Sequence, residues 1–216
     1  MQNGFFVIEI GRFSQYKYAW FETTDSTNYS KDAPQCPICS RYIGPLNWLP
    51  PYDVVIKQPR TIGDFVSGVG GCDFLASSKL LSSIEQSRLS GIEYKYPITV
   101  RKMGTTKTSI QRIPPPLTGI KFVHSKTRVD FDKMGVVWSK VPPDDSCKLC
   151  GPNGTLKSWT NVAIDQNTWS GDDFFHAINF PGALFASARA ADMIVNGEFS
   201  NVRVVPCEQS SHSFSA

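Results

Sequence analysis

The sequence predicts an α+β fold: two tandem, pseudo-equivalent repeats, each running strands, CxxC turn, helix, strand, packed as one domain around a shared metal site. Three observations lead there. Cys36-Pro37-Ile38-Cys39 and Cys147-Lys148-Leu149-Cys150 supply four thiols in two pairs, the number a closed tetrahedral site takes. The order of features around the first pair recurs around the second. Short β-branched and aromatic runs alternate with two stretches of helical spacing.

Composition sets the frame. A chain of 216 residues can bury a full core. Its hydrophobic fraction of 41% and charged fraction of 19% are those of a soluble globular protein. The net charge of +3 is small and its basic residues are dispersed, which argues against a concentrated nucleic-acid-binding face. Residues 1–10 carry no basic n-region or cleavage site, and no stretch approaches the ~18 apolar residues of a membrane span. The expectation is a cytoplasmic protein without a membrane partner. In that compartment six cysteines serve as thiols or metal ligands rather than disulfides.

Taken in order, Phe5 to Ile10 reads as a strand, and a second is expected near Tyr16–Phe21. A polar loop then delivers Cys36. After Trp48 and the Leu49-Pro50-Pro51 break comes a strand from Asp53 to Lys57. Gly68-Val69-Gly70-Gly71 lacks the spacing of either phosphate-binding glycine motif and reads as a tight turn. Ser77 is a good N-cap for a helix whose buried stripe is Leu80, Leu81 and Ile84. Gly91 marks the exit. Ile92 to Arg101 reads as one strand with Ile92, Tyr94, Tyr96 and Ile98 on one face. Pro114-Pro115-Pro116 is stiff and extended. Gly119 to His124, Val129 to Trp138 and Asn161 to Asp165 are further strands. Leu184-Phe185-Ala186-Ser187 enters a second helix that ends near Asn196-Gly197, and Val202 to Val205 is the last strand. Residues 209–216 form a polar, disordered tail.

This order repeats itself. Cys36 to Cys147, Cys39 to Cys150 and Trp48 to Trp159 share a shift of 111. Further on the shift is one residue shorter, matching Phe65 with Phe175, Ala76-Ser77 with Ala186-Ser187, Ile84 with Ile194 and Ser90 with Ser200. Self-similarity at a fixed offset is the mark of an internal repeat. The repeats are placed at about 1–101 and 117–208, within a single domain spanning 1–208.

The chemistry-bearing residues follow. Cys36, Cys39, Cys147 and Cys150 are the expected ligands of one structural zinc ion per chain. A redox dithiol is the competing use, but it favours a thioredoxin-like helix N-terminus, and both pairs lie in proline-bearing polar loops. Cys72 and Cys207 have no CxxC neighbour and read as small buried hydrophobes. His124, His176 and His212 lack a partner at any fixed spacing that would form a triad. His176 reads as a packing residue. Asp172-Asp173 matches Gly63-Asp64 and reads as a helix-start device rather than an acid–base pair. Asp144-Asp145 reads as solvated. No catalytic residue is expected and the chain is not read as an enzyme. Arg101, Lys102, Lys107, Arg112, Lys121, Lys126 and Arg128 give residues 100–130 a basic cast. A zinc-stabilised nucleic-acid-binding regulator is therefore the alternative reading.

The two CxxC pairs, the second continuing as Cys147-Lys148-Leu149-Cys150-Gly151, resemble the double-CXXCG motif proteins of myxobacteria. Asp173-Phe174-Phe175-His176-Ala177-Ile178-Asn179-Phe180-Pro181 is similar to that family's aspartate, aromatic, Asn-Phe-Pro step. The likeness covers most of the chain in layout, and the cysteine motifs and residues 172–206 in detail. Ser40 stands where the motif has its first glycine. The family includes swarm-recognition immunity proteins. The resemblance implies a protein that binds and neutralises a cognate protein toxin.

Overall fold

A computed structural model describes residues 4–11, 18–24, 28–30, 33–44, 46–57, 61–68, 74–103, 116–139, 146–152 and 154–213. Most of the Gly68–Gly71 turn, Cys72, Pro114, Pro115, Asp144, Asp145, and Tyr16 and Lys17 of the second expected strand lie outside them.

The architecture is mostly β, which corrects the expected α+β class. Strands account for 49% of the structure against 16% for helix. Only two α-helices occur among the described residues: α1, Ser78–Gln86, and α2, Ala188–Asn196, nine residues each. They pack on the strands Phe74–Ser77 and Phe180–Ser187 that lead into them and against each other. Strands predominate because the loops between the expected strands also pair. Asn28–Tyr29 joins Trp48–Leu49, and Ser146–Cys147 joins Gly151–Pro152. Turn-rich segments of this kind carry no period-2 signal long enough to read as strands.

The central sheet has five strands, in the order His124–Ser125, Phe174–Ala177, Phe180–Ser187, Phe5–Ile10, Val202–Pro206. The first strand of the chain is thus held between two late ones, with Phe5 opposite Ser187 and Ile10 opposite Val202. A four-stranded sheet runs Phe65–Ser67, Phe74–Ser77, Leu117–Phe122, Ile92–Pro97. The expected single strand from Ile92 to Arg101 is two. Pro97, which lacks an amide donor, ends Ile92–Pro97, and Thr99–Met103 pairs in parallel with Asp53–Lys57 in another sheet. Tyr94 and Tyr96 keep a common face, over Lys121 and Gly119 of the neighbouring strand, but only Tyr96 is buried. The tail does not fray throughout. Ser211–Ser213 adds a third strand to Gly135–Trp138 and Leu156–Thr160.

The helices form where capping and periodicity place them. Ser77 Oγ accepts from the Leu80 amide at 3.2 Å, and Ser187 Oγ from the Ala190 amide at 3.3 Å. Leu80 and Ile84 on α1, with Ala190 and Ile194 on α2, turn inward against Ile8, Phe65, Phe74, Phe122 and Phe174. Each of the large side chains in this cluster contributes roughly 1.5–3 kcal/mol by leaving water. Two flanking cores complete the interior. One is built on Phe21, Trp48, Val54 and Ile56, and the other on Phe5, Trp159, Phe175 and Phe185. The strand pairings also adjust the internal match. Phe65 and Phe174 face Ala76 and Ala186 respectively, so Phe174, not Phe175, stands in the position of Phe65.

Candidate metal centre

The four cysteines come from two tight turns. In the first, the Cys36 amide donates to Arg41 O at 2.8 Å, the Ser40 amide to Cys36 O at 2.8 Å and the Ile43 amide to Pro34 O at 2.8 Å. In the second, Cys147 pairs with Gly151 in a short antiparallel ladder. The residue after each pair must swing the chain back, and both do so with positive φ: 57° at Ser40 and 78° at Gly151. Serine at position 40 therefore makes the same turn as Gly151, at the steric cost a Cβ meets in this region. Arg41 Nη1 donates to Gly151 O at 3.2 Å and so ties one turn to the other.

All four Sγ atoms lie within 4.8 Å of one another. Cys36 Sγ is 3.7 Å from Cys147 Sγ, and Cys39 Sγ is 3.4 Å from Cys150 Sγ. Four thiolates at ~2.3 Å around one tetrahedral ion would be separated by about 3.8 Å, so the observed spacing suits such an ion. Cys36 and Cys150 are buried, Cys147 is half-buried and Cys39 is exposed. Ile43 and Ile178 pack against the buried pair.

Backbone amides act to lower the thiol pKa of the first cysteine of each turn. The Cys150 and Leu149 amides draw the Cys147 thiol down to about 6, against the opposing effect of burial. At Cys36 burial pushes the thiol up, but the amides of Cys39 and Ile38 outweigh it and the net direction is down. Cys150 moves the other way, pushed up by burial and then by the thiols of Cys39 and Cys36. Thiolate character is what a metal ligand needs. The group is thus a four-cysteine cluster able to hold a metal ion, from the residues the sequence singled out.

Other candidate residues fall elsewhere. His124 and His176 stack at 4.7 Å between ring centroids, brought together by parallel pairing of their strands. His176 is buried, and its Nδ1 is 2.8 Å from Ala183 O, so that nitrogen carries the proton. His212 packs against the Trp159 ring. Cys207 is buried, and burial pushes its thiol up. Asp173 bonds the N-cap Ser187 Oγ at 2.6 Å, which gives it the helix-start role read from its position. Among the basic residues of 100–130, Lys121 is buried and paired with Glu93 at 3.0 Å, and Arg101 is paired with Asp53 at 2.8 Å. Lys107 and Arg112 lie outside the described residues. Arg41 was not singled out from the sequence. Its role depends on the approach of a turn 110 residues away, for which no local signal exists.

No protein-family model matches the chain, and no curated protein matches it. Among the described residues no helix is long and apolar enough to cross a membrane.

Proposed function

We propose that the protein is a non-enzymatic immunity protein, clasped by one structural zinc ion on Cys36, Cys39, Cys147 and Cys150, that binds and neutralises a cognate protein toxin. The observation that carries the metal part is the four-sulfur cluster at tetrahedral spacing. Four soft ligands satisfy zinc completely and leave no position for a reacting water. The ion would hold the turns at residues 33–44 and 146–152 together and would do no chemistry. The partner part is supported by the likeness of the two CxxC motifs and residues 172–206 to the double-CXXCG proteins.

Two measurements test the parts separately. Elemental analysis of the purified protein is expected to return one zinc per chain, lost in Cys36→Ala and in Cys147→Ala. Wild-type protein free of zinc would refute the metal part. Co-expression with the product of the adjoining upstream gene, chosen for being toxic when expressed alone, is expected to rescue growth and yield a stable complex. Absence of both rescue and complex would refute the immunity part.

A further inference from the structure

We propose that the cysteine cluster is also an oxidation site, at which a hydroperoxide replaces the metal clasp by disulfides between the two turns, Cys39 with Cys150 and Cys36 with Cys147. The proposal rests on the zinc reading only for the ion that is released. The sulfur arrangement itself carries the rest.

Two features of the cluster argue for it. First, the contacts at 3.4 and 3.7 Å run between turns, joining residues 111 apart. Closing either to the ~2.05 Å of a disulfide needs the sulfurs to approach by about 1.5 Å. Second, each of these pairs combines a more exposed sulfur with a buried one. Cys39 is exposed and faces buried Cys150; Cys147 is half-buried and faces buried Cys36. The accessible sulfur is placed to react first, and the buried one to resolve the product before further oxidation.

The step balances with hydrogen peroxide as oxidant. The Cys39 thiolate attacks one peroxide oxygen; an S–O bond forms, the O–O bond breaks, and hydroxide leaves and is protonated to water. Cys39 is then a sulfenic acid. The Cys150 thiolate attacks its sulfur; the S–S bond forms, the S–O bond breaks, and the second hydroxide leaves as water after taking up a proton. Two thiolates are oxidised, one peroxide is reduced and two protons are consumed. A second peroxide converts Cys147 and Cys36 in the same way. The zinc ion keeps its oxidation state, loses its ligands and departs. The same two turns remain joined, now covalently.

The test uses the full-length protein as purified. It is treated with hydrogen peroxide, zinc release is followed with a chromogenic chelator, and the remaining thiols are blocked before tryptic digestion without reductant. Cleavage after Lys31, Arg41, Lys140, Lys148 and Lys157 puts Cys36 and Cys39 on one peptide and Cys147 and Cys150 on two others. The expected result is loss of the four cluster thiols together with zinc release. Peptide 32–41 is then linked to both 141–148 and 149–157, with fragmentation assigning Cys39 to Cys150. Peptide 32–41 carrying its own internal disulfide, with 141–148 linked only to 149–157, overturns the proposal. So do sulfinic or sulfonic acids as the main products, or thiols that stay reduced while zinc stays bound. Protein that carries no metal yet forms the two cross-turn links refutes the zinc reading alone and upholds this one.

Discussion

Ser40 and Gly151 occupy the same place in the two cysteine turns at φ 57° and 78°, yet only one has a Cβ to accommodate. An L residue in this region costs about 1–2 kcal/mol, partly offset by the freedom a glycine loses on folding. Ser40→Gly is therefore expected to stabilise by roughly 0.5–1 kcal/mol, raising the melting temperature by about 1–4 °C with metal content unchanged. Gly151→Ala is expected to destabilise by about 1–2 kcal/mol, since its Cβ would also come within 3.0 Å of Phe131 Cε2. Calorimetry of the two variants reads both signs. The clustered cysteines were legible because CxxC is a local pattern, and the second turn's glycine could be read in the same way. The stacked histidines were not, because parallel pairing of His124 with His176 is a long-range event. They carry their own prediction. Burial, then the Lys121 charge, lowers His124 to about 4; burial, then His124, lowers His176 to about 3. The unfolded chain takes up protons near 6.5 that the folded chain refuses until about 4. Stability is thus complete above pH 6.5 and falls as pH drops through that window, by on the order of 3 kcal/mol for His124. Urea denaturation across pH 4–7 should show the slope, and His124→Gln should flatten it.

At the scale of elements, two short helices are held by a pair of crossed clasps. Asp64 accepts from Ser77 Oγ at 2.7 Å, beside the start of α1, and from the Ser200 amide and hydroxyl at 2.9 and 2.8 Å, beyond the end of α2. Asp173 accepts from Ser187 Oγ at 2.6 Å, beside the start of α2, and from the Ser90 amide and hydroxyl at 3.0 and 3.3 Å, beyond the end of α1. Each carboxylate thus fixes the start of one helix to the segment following the other. A nine-residue helix is marginal by itself, and these bonds add to the apolar stripe that buries it. Capping was legible from Ala76-Ser77 and Ala186-Ser187, since an N-cap is defined by its neighbours. The crossing was not, because Ser200 lies 136 residues from Asp64 and Ser90 lies 83 from Asp173. Asp173→Ala strands the Ser90 and Ser187 groups and is expected to cost about 3 kcal/mol, against about 1 kcal/mol for Ser90→Ala. A urea midpoint shift at unchanged slope would measure each. Asp64 adds an acid limit. Burial pushes its carboxyl up, but the Ser200 amide and the Ser77 and Ser200 hydroxyls outweigh it and hold it below its usual 3.8. Its contribution is present above that pH and is lost as pH falls below it.

Over the whole molecule, the cysteine cluster stands apart from the main core. Ile8, Phe65, Phe74, Phe122, Phe174 and Leu184 interlock with α1 and α2 from both ends of the sequence, whereas the cluster packs mainly with Ile43 and Ile178. The α+β reading missed this because class follows from how strands pair, and Phe5–Ile10 finds its partners at Phe180–Ser187 and Val202–Pro206. What the sequence did expose was Phe5–Ile10, Asp53–Lys57, the strand at Val202–Pro206, both helices and the four clustered cysteines. The eight-residue strand Phe180–Ser187, by contrast, reads in the sequence only as the entry to a helix. The separation of cores decides what losing the proposed metal would do. If the ion held the whole fold, chelation would unfold everything at once. With the apolar interior independent of the thiols, chelation is expected to free residues 33–44 and 146–152 first, because few apolar contacts hold these turns once the ion is gone. Amide exchange after treatment with a strong zinc chelator should therefore accelerate in the turns while Val7, Ile8, Leu75 and Phe185 keep their protection. Uniform acceleration across the molecule would place the metal at the centre of the folding energy, and unchanged exchange in the turns would deny it any part in holding them.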